Sequence, residues 1–119
     1  MFTSNTLAQS RWSLVGMTPD SAVWLVDKAT KKKASGVIQA WEKVVYQDGS
    51  YSIALNEWKC SEKMKRLIQV NNYYPNGDYL SRSLTPLPWR YIVPDSIEEK
   101  TFKIVCKVNK TAKRAKLSK

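Results

Sequence analysis

Three clusters of turn chemistry, Thr18-Pro19-Asp20, Asp48-Gly49 and Pro75-Asn76-Gly77-Asp78, cut the first eighty residues into short runs rich in β-branched and aromatic side chains. Proline presets φ and glycine supplies the positive φ that closes a tight turn, so each cluster reverses the chain and lays its flanking runs antiparallel. Trp12, Leu14 and Gly16 fall at alternate positions before the first cluster, and Ala22 to Asp27 reads as the returning strand of that hairpin. After Gly36, Val37 to Tyr46 reads as a third strand with Val37, Trp41 and Val45 on one face. Tyr51 to Tyr74 reads as one long strand or two joined at a bend, with Trp58, Cys60, Met64, Ile68 and Val70 sharing one parity. A helix over Ser61 to Val70 also satisfies the spacing of Met64, Leu67 and Ile68. Tyr79 to Leu84 is a further strand. Pro86 and Pro88 each remove a ladder donor, so Trp89 to Val93 is expected as an edge strand or a loop.

A helix begins at Pro94-Asp95-Ser96-Ile97-Glu98-Glu99. Ser96 can cap it, Glu99 can reach back, and the two acids oppose the positive end of the dipole. Ile97, Thr101, Ile104, Val105 and Val108 make one stripe at helical spacing, flanked by Phe102 and Cys106. The fold class is therefore α+β: a twisted antiparallel β-sheet of about five to six strands with a single C-terminal helix packed on it. The 119 residues hold one domain, assigned to 11–108, with a flexible segment 1–10 before it and a basic tail 109–119 after it. Cys60 and Cys106 lack C-x-x-C spacing and the chain has no histidine, which argues against zinc or dithiol chemistry. They are either a disulfide or two buried thiols. The bond would contribute about 4 kcal/mol through chain entropy and would need an oxidising compartment.

The formal charge is +10, which favours anionic partners. Much of it is concentrated: Lys28, Lys31, Lys32 and Lys33 share one short loop, and Lys107, Lys110, Lys113, Arg114, Lys116 and Lys119 lie in the final stretch. Lys31, Lys32, Lys33, Lys110, Lys113, Arg114, Lys116 and Lys119 are accordingly the candidate ligand-binding residues. Without histidine, general base catalysis would fall to a carboxylate, lysine or cysteine, and none stands in a recognisable setting. The adjacent Glu98 and Glu99 are better explained by capping. No enzyme, metal or cofactor is expected. The five tryptophans, Trp12, Trp24, Trp41, Trp58 and Trp89, sit near the middle of proposed strands and are expected mostly in the core. On an outer face, with Tyr73, Tyr74, Tyr79 or Tyr91, they would instead make a platform for a protein partner or for stacked bases.

Taken in order, Arg11-Trp12 opening a strand, a second strand ending at Asp27, Trp41, Cys60 followed by basic residues and Leu67, Tyr73-Tyr74 before Asn76-Gly77, Trp89, Pro94-x-Ser96 and Cys106 resemble the bacterial surface-adhesin protein E domain from about Arg11 to Cys106. The resemblance implies an exported bacterial protein, periplasmic or at the cell surface and often lipid-anchored. It also implies a helix tethered to the sheet by a Cys60–Cys106 disulfide, and a tendency to dimerise through the sheet. The family's best-known member binds host matrix and plasma proteins. This chain departs from the usual ending in its basic extension and shows no lipid-anchor cysteine near its start. A signal peptide or anchor is expected to precede this numbering.

The expected function is thus a non-catalytic binding module recognising a protein partner (host matrix, plasma or envelope) or acidic and sulfated ligands. Lys119 is a candidate for capture by a lysine-binding host domain. A cytoplasmic nucleic-acid-binding domain using an aromatic sheet face and basic arms is the alternative, on the interleaving of Arg66 with Met64 and Ile68 and on Trp89-Arg90-Tyr91. A third is an assembly subunit that pairs its sheet edges with a partner or with a second copy.

Overall fold

A computed structural model describes residues 11–117 except Lys28, Thr30, Ala34 and Thr85, with side chains described outside Lys31, Lys32 and 108–117. One antiparallel sheet carries β1 (Trp12–Met17), β2 (Val23–Asp27), β3 (Lys31–Lys32), β4 (Ile38–Val45), β5 (Tyr51–Lys59), β6 (Met64–Tyr73), β7 (Tyr79–Ser83) and β8 (Arg90–Tyr91). Its order is β1-β2-β4-β5-β6-β7, with the two-residue β3 on β4 and β8 on β6. The expected α+β fold with six principal strands and one C-terminal helix is what forms. That helix, α1, spans Ile97–Leu117. It runs on through most of the stretch expected as a basic tail, 109–119, whereas the segment 1–10 lies outside the described residues.

The turns close as their residues dictate. Gly49 at φ 91 donates to Tyr46 O at 2.9 Å, and Tyr46 N donates to Ser50 O at 2.8 Å. Gly77 at φ 93 repeats the pattern between Tyr74 and Asp78, at 2.9 Å for both bonds. The Tyr51 to Tyr74 stretch resolves into two strands, β5 and β6, reversed at Cys60–Lys63, where Lys63 takes φ 55. The helical alternative for Ser61 to Val70 is excluded, because Ser61 to Lys63 form a turn and Met64 to Val70 are strand residues paired with β5. The single parity expected from Trp58 to Val70 also fails. The register shifts between Leu55 and Asn56, which pair with Gln69 and Leu67. Ile68 is therefore the extra residue of a bulge, and a bulge reverses which face the following side chains occupy. Lys65 and Leu67 before it share a face with Val70 and Asn72 after it.

On β4 the buried positions are Ile38, Ala40 and Glu42; of the expected face Val37, Trp41 and Val45, Val37 just before the strand is buried but Trp41 and Val45 are only half-buried. The helix decides this by covering the even-numbered face. Val26, Ile38, Ala40 and Trp58 pack against Val105, with Val15, Phe102 and Ile104 closing around them. Trp58 and Thr101 are fully buried. α1 crosses β1 so closely that a Cβ on Gly16 would stand 3.0 Å from Ile97 Cδ1. Ser96 caps the helix by accepting from Glu99 N at 3.2 Å, and the Glu99 carboxylate accepts from Asp95 N at 3.0 Å, one residue before the expected reciprocal partner. Cys60, in the β5–β6 turn, is bonded to Cys106 of α1 with Cα atoms 5.7 Å apart. Helix and sheet are thereby joined covalently, and the choice between disulfide and free thiols is settled.

Candidate functional site

With α1 on one face, the other face of the sheet is left without a covering layer among the described residues. Alternation places Trp12 of β1, Trp41 and Lys43 of β4, Tyr51, Ile53 and Leu55 of β5, and Tyr73 of β6 on that face, and the register shift that leaves Leu80 unpaired puts both Tyr79 and Arg82 of β7 there. The register draws them into contact, since Lys43 pairs with Ile53 and Val45 with Tyr51, Tyr51 with Tyr73, and Tyr73 with Tyr79 and Asn71 with Arg82. Tyr51 and Tyr73 stack with ring centroids 4.9 Å apart, and Tyr79 meets Tyr73 edge-on at 6.2 Å. Lys43 Nζ lies 4.8 Å from the Tyr51 ring centroid and 5.9 Å from that of Trp12, while Arg82 lies over Tyr79 at 5.9 Å. A chain of aromatic rings and cations thus crosses from β1 to β7, about 24 Å at about 4.8 Å per strand.

Two buried carboxylates anchor the cations at one end of this face. Asp27, 4% exposed, accepts from Arg11 Nε at 2.8 Å and from Ala29 N at 2.9 Å. Glu57, 1% exposed, accepts from Arg66 Nε at 3.0 Å and Gln39 Nε2 at 3.0 Å, and pairs with Lys33 Nζ at 2.5 Å. Burial pushes its pKa up, but the hydrogen bonds of Lys33 and Arg66 outweigh that effect and hold it below the usual carboxylate value. Arg66 and Lys59 both stand over Trp89, at 4.8 and 4.3 Å from its ring centroid. The two buried anions are thus met by Arg11, Lys33 and Arg66, whereas among the described residues Lys43 and Arg82 contact aromatic rings and form no ion pair, Arg82 Nε donating to Asn71 Oδ1 at 3.1 Å. The face has an apolar aromatic centre and a basic rim.

Of the candidate residues chosen from charge clustering, Lys33 alone has a described side chain, and its ammonium is engaged by Glu57. Lys31 and Lys32 form β3, but their side chains lie outside the described residues, as do those of Lys110, Lys113, Arg114 and Lys116, and the whole of Lys119. The tryptophans are less buried than expected: only Trp58 is fully inside, and Trp12, Trp24, Trp41 and Trp89 are half-buried. Tyr73 and Tyr79 join the platform. Tyr74 sits at the turn beyond it, and Tyr91 stands on the short β8. Of the interleaved basic residues, Arg66 stacks on Trp89, but Arg90 turns to the opposite face and pairs with Glu98. Trp12 takes the outer-face place that the sequence allowed for it, whereas Lys43, Tyr51 and Arg82 lie outside the residues nominated from sequence; the shared parity of Trp41, Lys43 and Val45 is the signal that points to Lys43.

A sheet carrying a disulfide-held helix on one face and open on the other through aromatic and basic side chains defines a binding module, and the described residues contain no cluster of three or more groups suited to a metal ion. The chain belongs to the Surface-adhesin protein E family, whose profile matches residues 12–107. No curated protein and no solved structure matches it. No described helix is long and apolar enough to cross a membrane.

Proposed function

We propose that the chain is an exported, non-catalytic module of the bacterial surface or periplasm that recognises a protein partner through the open sheet face. The partner is a host matrix or plasma protein, or a protein of the envelope, and the basic rim attracts its acidic or sulfated stretches. The contiguous run of Trp12, Lys43, Tyr51, Tyr73, Tyr79 and Arg82 carries this reading. Tyrosine, tryptophan and arginine dominate the energetics of protein interfaces, and a half-buried apolar patch of this breadth is uncommon on a surface with no partner. Family membership and the Cys60–Cys106 disulfide support export.

The test is binding to a panel of immobilised matrix and plasma proteins by the wild type, by Tyr51→Ser/Tyr73→Ser and by Lys43→Gln/Arg82→Gln. The tyrosine pair is expected to lose at least tenfold in affinity. The charge pair should mainly slow association and weaken its salt dependence. Unchanged binding by both would refute the assignment.

The clamp of Lys59 and Arg66 on Trp89 favours one competing reading, single-stranded nucleic acid. Oligonucleotide affinity that falls by orders of magnitude between about 50 and 200 mM salt would support it, and absence of binding at low salt would remove it.

A further inference from the structure

The face that carries α1 is only partly covered by it. Beyond Glu42 the sheet continues as a trough of about 570 Å³, floored by Val44, Ala54 and Val70 and walled by Trp24 and the Leu87-Pro88-Trp89 connection. That volume falls within the roughly 300–1,000 Å³ of small-molecule sites. Leu87 N donates to Leu67 O at 2.9 Å, which fixes the connection along the edge of β6.

At the helix end of the trough lies a desolvated ion cluster that the open outer face does not use. Lys65, 5% exposed, donates to Glu42 Oε1 at 3.1 Å and to Glu98 Oε2 at 3.4 Å, leaving one of its three N–H groups without a hydrogen bond among the described residues. Arg90 completes the set by binding Glu98, with Nη1 2.9 Å from Oε1. Hydrogen bonds from Arg90, opposed by burial and aided by the charge of Lys65, hold the Glu98 pKa below its usual value. Glu42, 3% exposed, receives Asn56 Nδ2 on Oε1 at 2.6 Å, but its Oε2 is buried and unpartnered, as is Trp24 Nε1. Two cations and two anions leave the cluster balanced. A replacement by apolar residues would serve stability as well or better, and buried polar atoms without partners are rare enough to need a reason.

We propose that this trough binds a small uncharged amphiphile. Its apolar body lies on Val44, Ala54 and Val70. Its single head, a hydroxyl or a primary amide, donates to Glu42 Oε2 and accepts from the spare N–H of Lys65. A carboxylate or ammonium head would bring an uncompensated charge beside a cluster that is already neutral, and is disfavoured.

The experiment titrates the full chain with octan-1-ol, octanoate and octylammonium below their aggregation limits and follows ¹H–¹⁵N spectra. Octanol is expected to shift the Trp24 indole and the amides of Val44, Ala54 and Val70 saturably, at least tenfold more tightly than either charged probe, and to leave Tyr73 and Tyr79 unmoved. Ala54→Phe, or Val44→Phe should the first variant lose its dispersed spectrum, is expected to abolish the shifts by filling the floor. No saturable shift with octanol, equal response to all three heads, shifts centred on the outer face, or survival of binding in a folded filled-floor variant would each overturn the proposal.

Discussion

Removing the Cys60–Cys106 cross-link by Cys60→Ala/Cys106→Ala tests how the fold is held. The bond joins residues 46 apart in sequence, and a closed loop of that length restricts the unfolded chain by about 4 kcal/mol at 25 °C in the chain-entropy account. The Cα atoms already stand 5.7 Å apart, and Val105, beside Cys106, is fully buried against the sheet. The folded state should therefore keep its shape when the bond is lost, and the effect should fall on the unfolded state. In urea, with an m-value of about 1.5 kcal/mol/M, the midpoint drops by about 2.7 M and m rises as the unfolded chain expands. In a thermal scan, at about 4 °C per kcal/mol for a chain of this size, Tm drops by about 15 °C. Equilibrium urea unfolding monitored by tryptophan fluorescence measures both midpoint and slope. A loss below about 1 kcal/mol with m unchanged would refute the reasoning and place the tether's contribution elsewhere.

Trp58→Ala should cost about 3–5 kcal/mol by urea unfolding, because the indole is fully buried at the centre of the core. Lys65→Met strands the buried Glu42 carboxylate and should cost about 3–5 kcal/mol, most of it recovered in Lys65→Met/Glu42→Leu; equal losses in single and double variants would contradict the ion-pair account. Glu57 has a folded pKa below its ordinary value of 4.5, so its contribution is complete above that value and disappears as pH falls through the lower folded one. The acid limb of a stability-against-pH curve should therefore be shallower in Glu57→Gln than in the wild type. Ser96→Ala removes the acceptor for Glu99 N and should lower stability by about 1 kcal/mol by the same unfolding assay.

Local chemistry made much of this fold legible. Asp48-Gly49 and Asn76-Gly77 specify their turns because glycine alone reaches the required φ without cost, and Ser96 with Glu99 marks the helix start through groups four residues apart or fewer. What sequence left open depends on long-range register. One extra residue at Ile68 moves Val70 and Tyr73 to faces opposite those that uninterrupted alternation assigns, and nothing local to Ile68 announces it. The faces of β4 were likewise undecidable until α1 was placed, since Trp41 and Val45 on one side are as apolar as Ile38 and Ala40 on the other. The candidate site was hidden for a related reason. Runs of lysine are conspicuous in sequence, but Lys33 is engaged by buried Glu57, whereas Lys43, isolated in sequence, meets Tyr51 across the β4–β5 hairpin and Trp12 only once β1 is placed in the same sheet.

The open face as the binding surface is tested most directly by hydroxyl-radical footprinting of the full chain, read by mass spectrometry, with and without a solubilised extracellular-matrix preparation. Protection of Trp12, Tyr51, Tyr73 and Tyr79, with Tyr46 on the opposite face unchanged, is the predicted result. Unaltered oxidation of those four residues in the presence of matrix that demonstrably retains the protein, or protection centred on Tyr46 and Trp24, would contradict it.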